Sequence, residues 1–319
     1  MIYLILLSNK FINCNNILQM YQQCAPGIIY NGKSCISINI LENMIDLYKN
    51  KYPKEKINII FNGITHNLEI SDSIITNKLE QIKKFNPITY KKHIVDILSQ
   101  LLKNSKQIDW ISIPIFKELR KNNYNDLLNN TFKPIGPANN NKWLSNFDIQ
   151  DIFAQYENYY KDFKFLGAIP RDFDNDKRTN ISNINYKQQF INNGITKLGV
   201  IFNHDESHQS GSHWVALFID LLAGNINYFD SVGKPPKKEI MNLINTFQNY
   251  FKKNNISSII NINNVQHQQK GSECGVYSVS FILRLLDGES FADITKNPIA
   301  DDEIQQCRKI YFNNIDDNI

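Results

Sequence analysis

One cysteine, Cys274, has the sequence surroundings of a nucleophile in an acyl-transfer reaction. A polar, glycine-containing loop precedes it and an apolar run, residues 278–283, follows it, which predicts a helix that begins at the cysteine. A thiol in the first turn of a helix is close to the positive end of the helix dipole, and this position favours the thiolate. A core cysteine is the alternative interpretation, because free cysteine is among the most buried residue types. A base and an orienting group elsewhere in the chain are needed to decide.

A histidine and a carboxylate lie at the two open ends of a predicted β-hairpin. Residues 213–220 predict a mostly buried strand, and residues 223–225 predict the turn before a returning strand that ends at Asp230. Pairing of the two strands brings His213 beside Asp230. An aspartate that accepts a hydrogen bond from one ring nitrogen fixes the imidazole tautomer, so that the other nitrogen can take the proton of a thiol. A turn-capping role for Asp230 is the alternative.

A glutamine completes the set of groups that acyl transfer requires. Gln268 precedes Cys274 by six residues and carries a side-chain N–H for a developing oxyanion, beside the backbone N–H groups at the start of the Cys274 helix. Gln269 competes for this role, and the six-residue offset favours Gln268. The chain therefore contains a base, an orienting acid, an oxyanion donor and a nucleophile, in that order.

These four elements resemble the clan CE cysteine peptidases, which include the adenovirus maturation protease and the SUMO-deconjugating proteases. The resemblance covers roughly residues 131–290 and implies catalytic roles for four side chains: His213, Asp230, Gln268 and Cys274. Papain differs, because its cysteine precedes its histidine. The runs at residues 132–137 and 143–146 look most like the thiol proteases of large nucleocytoplasmic DNA viruses, including the African swine fever virus polyprotein protease. Glu273 stands where cellular members often carry Asp, a departure that does not touch the mechanism.

The resemblance also implies a substrate class. Trp214 would form one wall of a narrow slot over the residues before the scissile bond, and Trp143 the opposite wall; a core tryptophan and a helix-entry anchor are the alternatives. The implied activity is a cysteine endopeptidase that cuts after Gly-Gly or Gly-Ala and processes viral structural polyproteins during virion maturation, in the virus factory of the host cytoplasm and in the virion.

Three other functions stay open at this point. A protease that deconjugates ubiquitin or a SUMO-like modifier would use the same chemistry on a Gly-Gly tail. An acyltransferase of the same fold would need further basic residues for a coenzyme A pocket, and we locate none in the sequence. A binding module without activity is the third alternative, which the intact set of four catalytic side chains disfavours.

The remaining pattern predicts an α+β fold in two domains. Residues 131–319 are expected to form a papain-like/adenain-like peptidase core, with flanking helices on a mostly antiparallel central sheet. Residues 1–130 are expected to form a smaller, helix-rich accessory (arm) domain whose first strand is residues 1–7. That opening run is too short to span a bilayer, so we expect no membrane insertion.

Composition and two local clusters bear on cofactors and partners. Five scattered cysteines without a CxxC pair predict a reducing compartment, no disulfide framework and no cysteine-rich zinc site. His204 and His208 are four residues apart, but Asp205 stands where the metalloprotease pattern has Glu, so we expect a solvated loop and no metal or cofactor. Residues 78–121 carry ten Lys or Arg against four Asp or Glu. Basic helices are usually a solvated face, and nucleic acid is the alternative partner, since the adenovirus branch uses DNA as an activator.

Overall fold

The computed structural model describes residues 23–313, except 62, 105, 121–126, 129, 176–178 and 180. These residues belong to two compact units, one within Gln22–Lys133 and one within Pro134–Asn314. The predicted strand at residues 1–7 lies outside the described part of the chain. No helix in that described part is both long and apolar enough to cross a membrane.

The first unit packs helices against a two-stranded antiparallel hairpin. Its helices begin at side-chain caps where the sequence supplies them: Asp72 accepts a hydrogen bond from the backbone of Ile74, and Asn86 accepts one from Thr89. Its elements in chain order are α1 (Ile38–Lys51), β1 (Lys56–Phe61), β2 (Ile64–Glu69), α2 (Ser73–Phe85), α3 (Pro87–Leu102), α4 (Gln107–Trp110) and a 3₁₀ helix (Pro114–Arg120).

Several cations of the basic segment are held by contacts within this unit. Lys83 forms an ion pair with Glu42 at 2.6 Å, and the Lys78 ammonium lies 4.9 Å from the centre of the Phe61 ring. Lys91 is buried and donates to two oxygens of the neighbouring loop at 2.8 Å. These lysines therefore have structural roles, and binding of nucleic acid by the segment stays a prediction.

The prediction of a chain without disulfides is wrong. Cys24 and Cys35 form a disulfide, and Cys307 is disulfide-bonded as well. Asn31 and Ser34 pair as an antiparallel bridge, and this turn brings the Cα atoms of Cys24 and Cys35 to 5.2 Å, a distance that a disulfide spans without strain. The eleven-residue spacing matches no motif, so the pairing follows from the path of the loop.

The second unit is built on a five-stranded sheet in the order β3-β4-β5-β6-β7, with helices on both faces. Its buried helix α8 is apolar almost throughout and packs on β5. The elements in chain order are α5 (Asn146–Tyr159), β3 (Phe163–Pro170), α6 (Tyr186–Gln189), β4 (Lys197–Asn203), β5 (Trp214–Asp220), β6 (Asn225–Phe229), α7 (Lys238–Lys253), β7 (Ile259–Ile262), α8 (Cys274–Leu286), α9 (Phe291–Lys296) and α10 (Asp301–Tyr311).

The sheet is mixed rather than mostly antiparallel. β4 pairs antiparallel with β5, and β5 with β6, whereas β3–β4 and β6–β7 are parallel. Parallel neighbours require a crossover connection, which residues 171–196 provide on one side and α7 on the other. The central antiparallel hairpin nevertheless forms where the sequence predicts it, and it carries the candidate site.

Candidate active site

The hairpin brings the predicted base and acid into contact. His213 immediately precedes β5 and Asp230 immediately follows β6. Nε2 of His213 lies 2.7 Å from Oδ1 of Asp230, and because a carboxylate oxygen only accepts, the ring nitrogen donates. Asp230 is completely buried, and its Oδ1 also accepts the backbone N–H of Val232 at 2.9 Å. The carboxylate is therefore fixed in position by its own turn and orients the imidazole.

The predicted nucleophile, at the start of α8, contacts the same ring. Cys274 is the first residue of α8, and its side chain is a free thiol with 2% of its surface exposed. The thiol forms a hydrogen bond with the His213 side chain. The Ser278 hydroxyl, one turn further along α8, donates to the backbone carbonyl of Trp214 at 3.2 Å and ties the helix to β5. Sulfur, imidazole and carboxylate thus form one hydrogen-bonded chain.

The electrostatics of the Cys274, His213 and Asp230 side chains favour a charged imidazole. Burial alone would lower the pKa of His213, but the hydrogen bonds and negative charges of Asp230 and Cys274 outweigh it and raise the pKa to about 9. The ring is therefore protonated near neutral pH, the state that partners a thiolate. Roles for these three side chains follow from chemistry and geometry and stay predictions until they are mutated.

Gln268 lies in the loop that leads to the nucleophile. Its Oε1 accepts the Ser231 hydroxyl at 2.7 Å, and its Nε2 donates to the backbone carbonyl of Lys270, also at 2.7 Å. The side chain is buried, and the backbone N–H of Gln268 donates to the carbonyl of Ser231. A primary amide has two N–H donors, so one remains for an oxyanion. The structure fixes this amide within the nucleophile's loop, and its catalytic role stays a prediction.

Two residues of α10 that the sequence did not reveal hold the same loop. Oδ2 of Asp301 accepts the backbone N–H groups of Gln269 and Lys270 at 2.9 and 2.8 Å. The Arg308 guanidinium, 1% exposed, donates to the backbone carbonyl of Ser272 at 3.4 Å. An acidic first turn is a general feature of helix N-termini and carries no signal of a distant partner. Only the tertiary packing of α10 assigns these side chains to the site.

A cavity of about 660 Å³ reaches the catalytic region at Trp214, the residue that follows His213, although Cys274 and His213 are not among its lining residues. Both predicted slot tryptophans line it: Trp214 is 8% exposed, whereas Trp143 is 51% exposed. Nε1 of Trp214 donates to the carbonyl of Leu144 at 2.9 Å, which fixes the plane of the indole. The loop of residues 205–211 and the end of β3 form the other walls. The arrangement is suited to an extended peptide, while the two roles in substrate binding stay predictions.

Gly275 allows the nucleophile's helix to approach this wall. A Cβ atom at position 275 would lie 3.1 Å from Cβ of Leu144 and 3.3 Å from Cδ1 of Trp214. Contacts that close require a neighbour to move by a few tenths of an ångström. The Cys-Gly pair therefore has a steric reason here: it brings the first turn of α8 against the indole that lines the cavity.

A second histidine lies next to the catalytic base. The His204 ring is 5.0 Å from the His213 ring, centre to centre, and its backbone N–H donates to the His213 carbonyl at 2.8 Å. Burial, followed by the nearby charge of His213, lowers the pKa of His204 to about 4. One potential ligand atom each from His204, His213 and Asp230 lies within 4.8 Å of the others. His208, the other histidine of the predicted loop, is not part of this group and is exposed.

Comparison with known proteins finds similar proteases. Residues 140–319 match the model of the Ulp1 protease family, C-terminal catalytic domain. A protein named as a thiol protease in Acanthamoeba polyphaga mimivirus is 36% identical over 284 residues, which cover 89% of this chain and 90% of that protein. The SUMO-1 cysteine protease of African swine fever virus is 26% identical over 272 residues, 81% of this chain and 97% of that protein.

The fold is shared as well. The crystal structure of the African swine fever virus protease superposes with a TM-score of 0.60 at 20% identity, covering 92% of this chain and 96% of that chain. The predicted α+β class is confirmed by this likeness, and the sequence resemblance to clan CE is confirmed by the family match.

Proposed function

Because the chain belongs to the Ulp1 protease family and is a cysteine protease, we propose that it is an endopeptidase that cuts viral structural polyproteins after small residues. One observation carries the proposal: Cys274, His213 and Asp230 interact with one another, and Trp214, which follows His213 in the chain, lines a cavity together with Trp143. Such a cavity accepts an extended segment of polypeptide, and the chain of groups beside it is suited to acyl transfer.

The geometry leads to a two-step mechanism. The Cys274 thiolate attacks the scissile carbonyl carbon to form a C–S bond, while a Gln268 N–H and backbone N–H groups at the start of α8 stabilise the oxyanion. His213 donates its proton to the leaving amine as the C–N bond breaks. The neutral imidazole then takes a proton from water, which attacks the thioester and releases the acid and the thiolate. Asp230 stays ionised and holds the ring in orientation throughout.

The tryptophan walls support a preference for Gly-Gly-X or Gly-Ala-X sites. The Trp214 indole is fixed by its bond to Leu144 and by close packing at Gly275, so it cannot withdraw from a bulky side chain. Overpacking of a rigid contact costs about 1–3 kcal/mol, which corresponds to a reduction of roughly 5- to 150-fold in the cleavage rate. Glycine avoids this overlap, and alanine adds only a methyl group.

The viral relatives support a setting in virus assembly. Matches to thiol proteases of two large DNA viruses cover most of their lengths, which favours a maturation role in the host cytoplasm, at the virus factory, and in the virion. Deconjugation of a SUMO-like or ubiquitin-like modifier is the second candidate, and the name of the African swine fever virus relative favours it. Both candidates place a small-residue tail in the same slot.

A substrate panel separates these candidates. Purified protein is incubated with three peptides that differ only before the cut, Gly-Gly-X, Gly-Ala-X and Gly-Leu-X, and with a ubiquitin-like conjugate. We expect cleavage of the first two peptides and a rate at least about fivefold lower for the third. Equal rates for all three peptides contradict the steric slot. Cleavage of the conjugate alone supports deconjugation.

Matched variants test the site itself. Cys274→Ala and His213→Ala should each abolish turnover, whereas His208→Ala, an exposed histidine of the neighbouring loop, should leave it intact. Iodoacetamide should inactivate the enzyme by alkylating the free thiol, and EDTA should not. If Cys274→Ala keeps the activity of the parent, the assignment of the nucleophile is wrong, because Cys274 is the free thiol among the described residues.

A further inference from the structure

We propose that His204, His213 and Asp230 form a binding site for Zn²⁺, and that an ion bound there inhibits the protease by occupying its catalytic base. The binding site stands on the geometry alone. Its inhibitory effect rests on the proposed function, because it requires that His213 act in catalysis.

The three side chains converge from different elements of the hairpin region. His204 follows β4, His213 precedes β5 and Asp230 follows β6, so the ends of three adjacent strands contribute one group each. One potential ligand atom from each lies within 4.8 Å of the other two. A tetrahedral zinc ion with bonds of about 2.0–2.2 Å places its ligand atoms about 3.4 Å apart. Side-chain rotations that move the ligand atoms by about an ångström therefore suffice to close the site.

Two of the potential ligand atoms have no partner in the structure. Nε2 of His204 and Oδ2 of Asp230 are both buried, and neither forms a hydrogen bond with any described residue. Buried polar atoms are almost always satisfied, so each such atom requires an explanation. Asp230 is completely buried and its other oxygen is occupied by His213 and Val232. An ion bound between His204 and Asp230 satisfies both atoms at once.

The chemistry of the donors selects the ion. Two imidazoles and one carboxylate are a common ligand set for zinc, with a fourth position left for water. Imidazole nitrogen suits zinc and other late first-row metals, whereas Mg²⁺ and Ca²⁺ prefer oxygen. Zinc on Nε2 of His213 replaces the hydrogen bond to Asp230 and keeps the proton of the neutral ring on Nδ1, so the ring can no longer accept the proton of the thiol. The ion therefore competes directly with catalysis.

Calorimetry on an inactive variant tests binding without any assay of activity. ZnCl₂ is titrated into Cys274→Ala, in which the free thiol of the described chain is absent, so that zinc cannot bind through it. We expect one zinc ion per chain, and at least a tenfold weaker Kd in Cys274→Ala/His204→Ala, since even outer partners of a metal ligand contribute about 10- to 100-fold. Cys274→Ala/His208→Ala is the matched control, and its Kd should be unchanged.

A magnesium titration and a second His204 variant decide whether the zinc site exists. MgCl₂ should not bind to Cys274→Ala. His204→Gln, which retains the approximate size of the side chain, should weaken zinc binding as His204→Ala does, while the melting temperature stays that of the parent. No zinc binding to Cys274→Ala, or equal binding after loss of His204, overturns the site. Comparable binding of Mg²⁺ also overturns it, because that result indicates a nonspecific acidic surface.

The functional consequence is measured separately in the active enzyme. Zinc should inhibit peptide cleavage by the parent at a concentration at least about tenfold lower than in His204→Ala, each compared with its own rate without metal. EDTA should restore the rate. Zinc binding in calorimetry without inhibition removes the inhibitory role and leaves the site. Absence of peptide cleavage without metal contradicts the proposed function instead, and leaves the binding result intact.

Discussion

The charge of Asp230 should determine the upper pH limit of the enzyme, and Asp230→Asn isolates that charge. Oδ1 accepts both observed hydrogen bonds, from His213 and from Val232, and an asparagine oxygen can accept the same two. The new amide nitrogen takes the place of Oδ2, an atom without a hydrogen-bond partner among the described residues. The substitution therefore retains the shape of the site and removes its negative charge.

The expected size of the effect follows from the pKa of His213. In the parent that pKa is about 9, so the imidazole is about 90% protonated at pH 8. Without the aspartate charge, only Cys274 opposes the effect of burial, so the pKa falls toward its ordinary value of 6.5, where about 3% is protonated at pH 8. The deficit of the variant should thus approach about 30-fold at pH 8, yet stay below about twofold at pH 6, where both rings are mostly charged.

The assay is kcat/KM from pH 5 to 10 on one Gly-Gly-X peptide, since this ratio reports the free enzyme. Asp162→Asn alters a half-buried carboxylate paired with Lys197 at the opposite end of β4; this variant is the control and should keep the parent profile. If kcat/KM of Asp230→Asn still falls only near pH 9, the reasoning is refuted. A deficit of equal size at pH 6 and pH 8 refutes it as well, because that result indicates misplacement rather than a lost charge.

Three further predictions concern the supports of the site and the first unit. Asp301→Ala leaves two backbone N–H groups of the nucleophile loop without their acceptor, so we expect a loss of about 1–3 kcal/mol in stability and a lower kcat, with the exposed Asp302→Ala unchanged. Trp214→Phe removes the donor to a buried carbonyl, and KM should rise more than kcat falls. Replacing Cys24 and Cys35 together by serine should destabilise the first unit by about 3 kcal/mol, because the unfolded loop regains entropy.

The measurements for these three are chemical denaturation and steady-state kinetics. Equal denaturation midpoints for the Asp301→Ala and Asp302→Ala variants contradict the anchoring role of α10. A parent KM in Trp214→Phe contradicts the fixed indole wall. For the cysteine pair, an unchanged denaturation curve in the absence of reductant shows that the loop is held by other contacts.

The hairpin and the nucleophile's helix could be predicted because their signals are local. Alternation of apolar residues and a glycine turn set the register that joins His213 to Asp230, and the apolar run after Cys274 requires a buried helix. The pairing of Cys24 with Cys35 could not be predicted, since the loop that separates them by eleven positions in the sequence carries no periodicity. The parallel pairing of β6 with β7 was not predicted, although the helix expected between these strands is a connection of the kind that parallel neighbours require.

The supports of the site escaped prediction for a different reason. Asp301 and Arg308 act on residues about thirty positions earlier in the sequence, and their contacts arise only when α10 docks beside α8. A buried arginine and a helix-starting aspartate are both ordinary for an amphipathic helix, so residue type gives no indication of the partner. Pair contacts across a folded core are set by packing, which single-sequence patterns do not record.

The anchoring of the nucleophile's loop by α10 has a consequence for how the chain is made. Every other element that shapes the site, from the tryptophan wall to Cys274, is synthesised before residues 301–311. Until then, the loop that precedes the reactive sulfur has two backbone donors without their Asp301 acceptor. The two hydrogen bonds that fix the backbone of this loop can therefore form only after α10 has been synthesised and has docked.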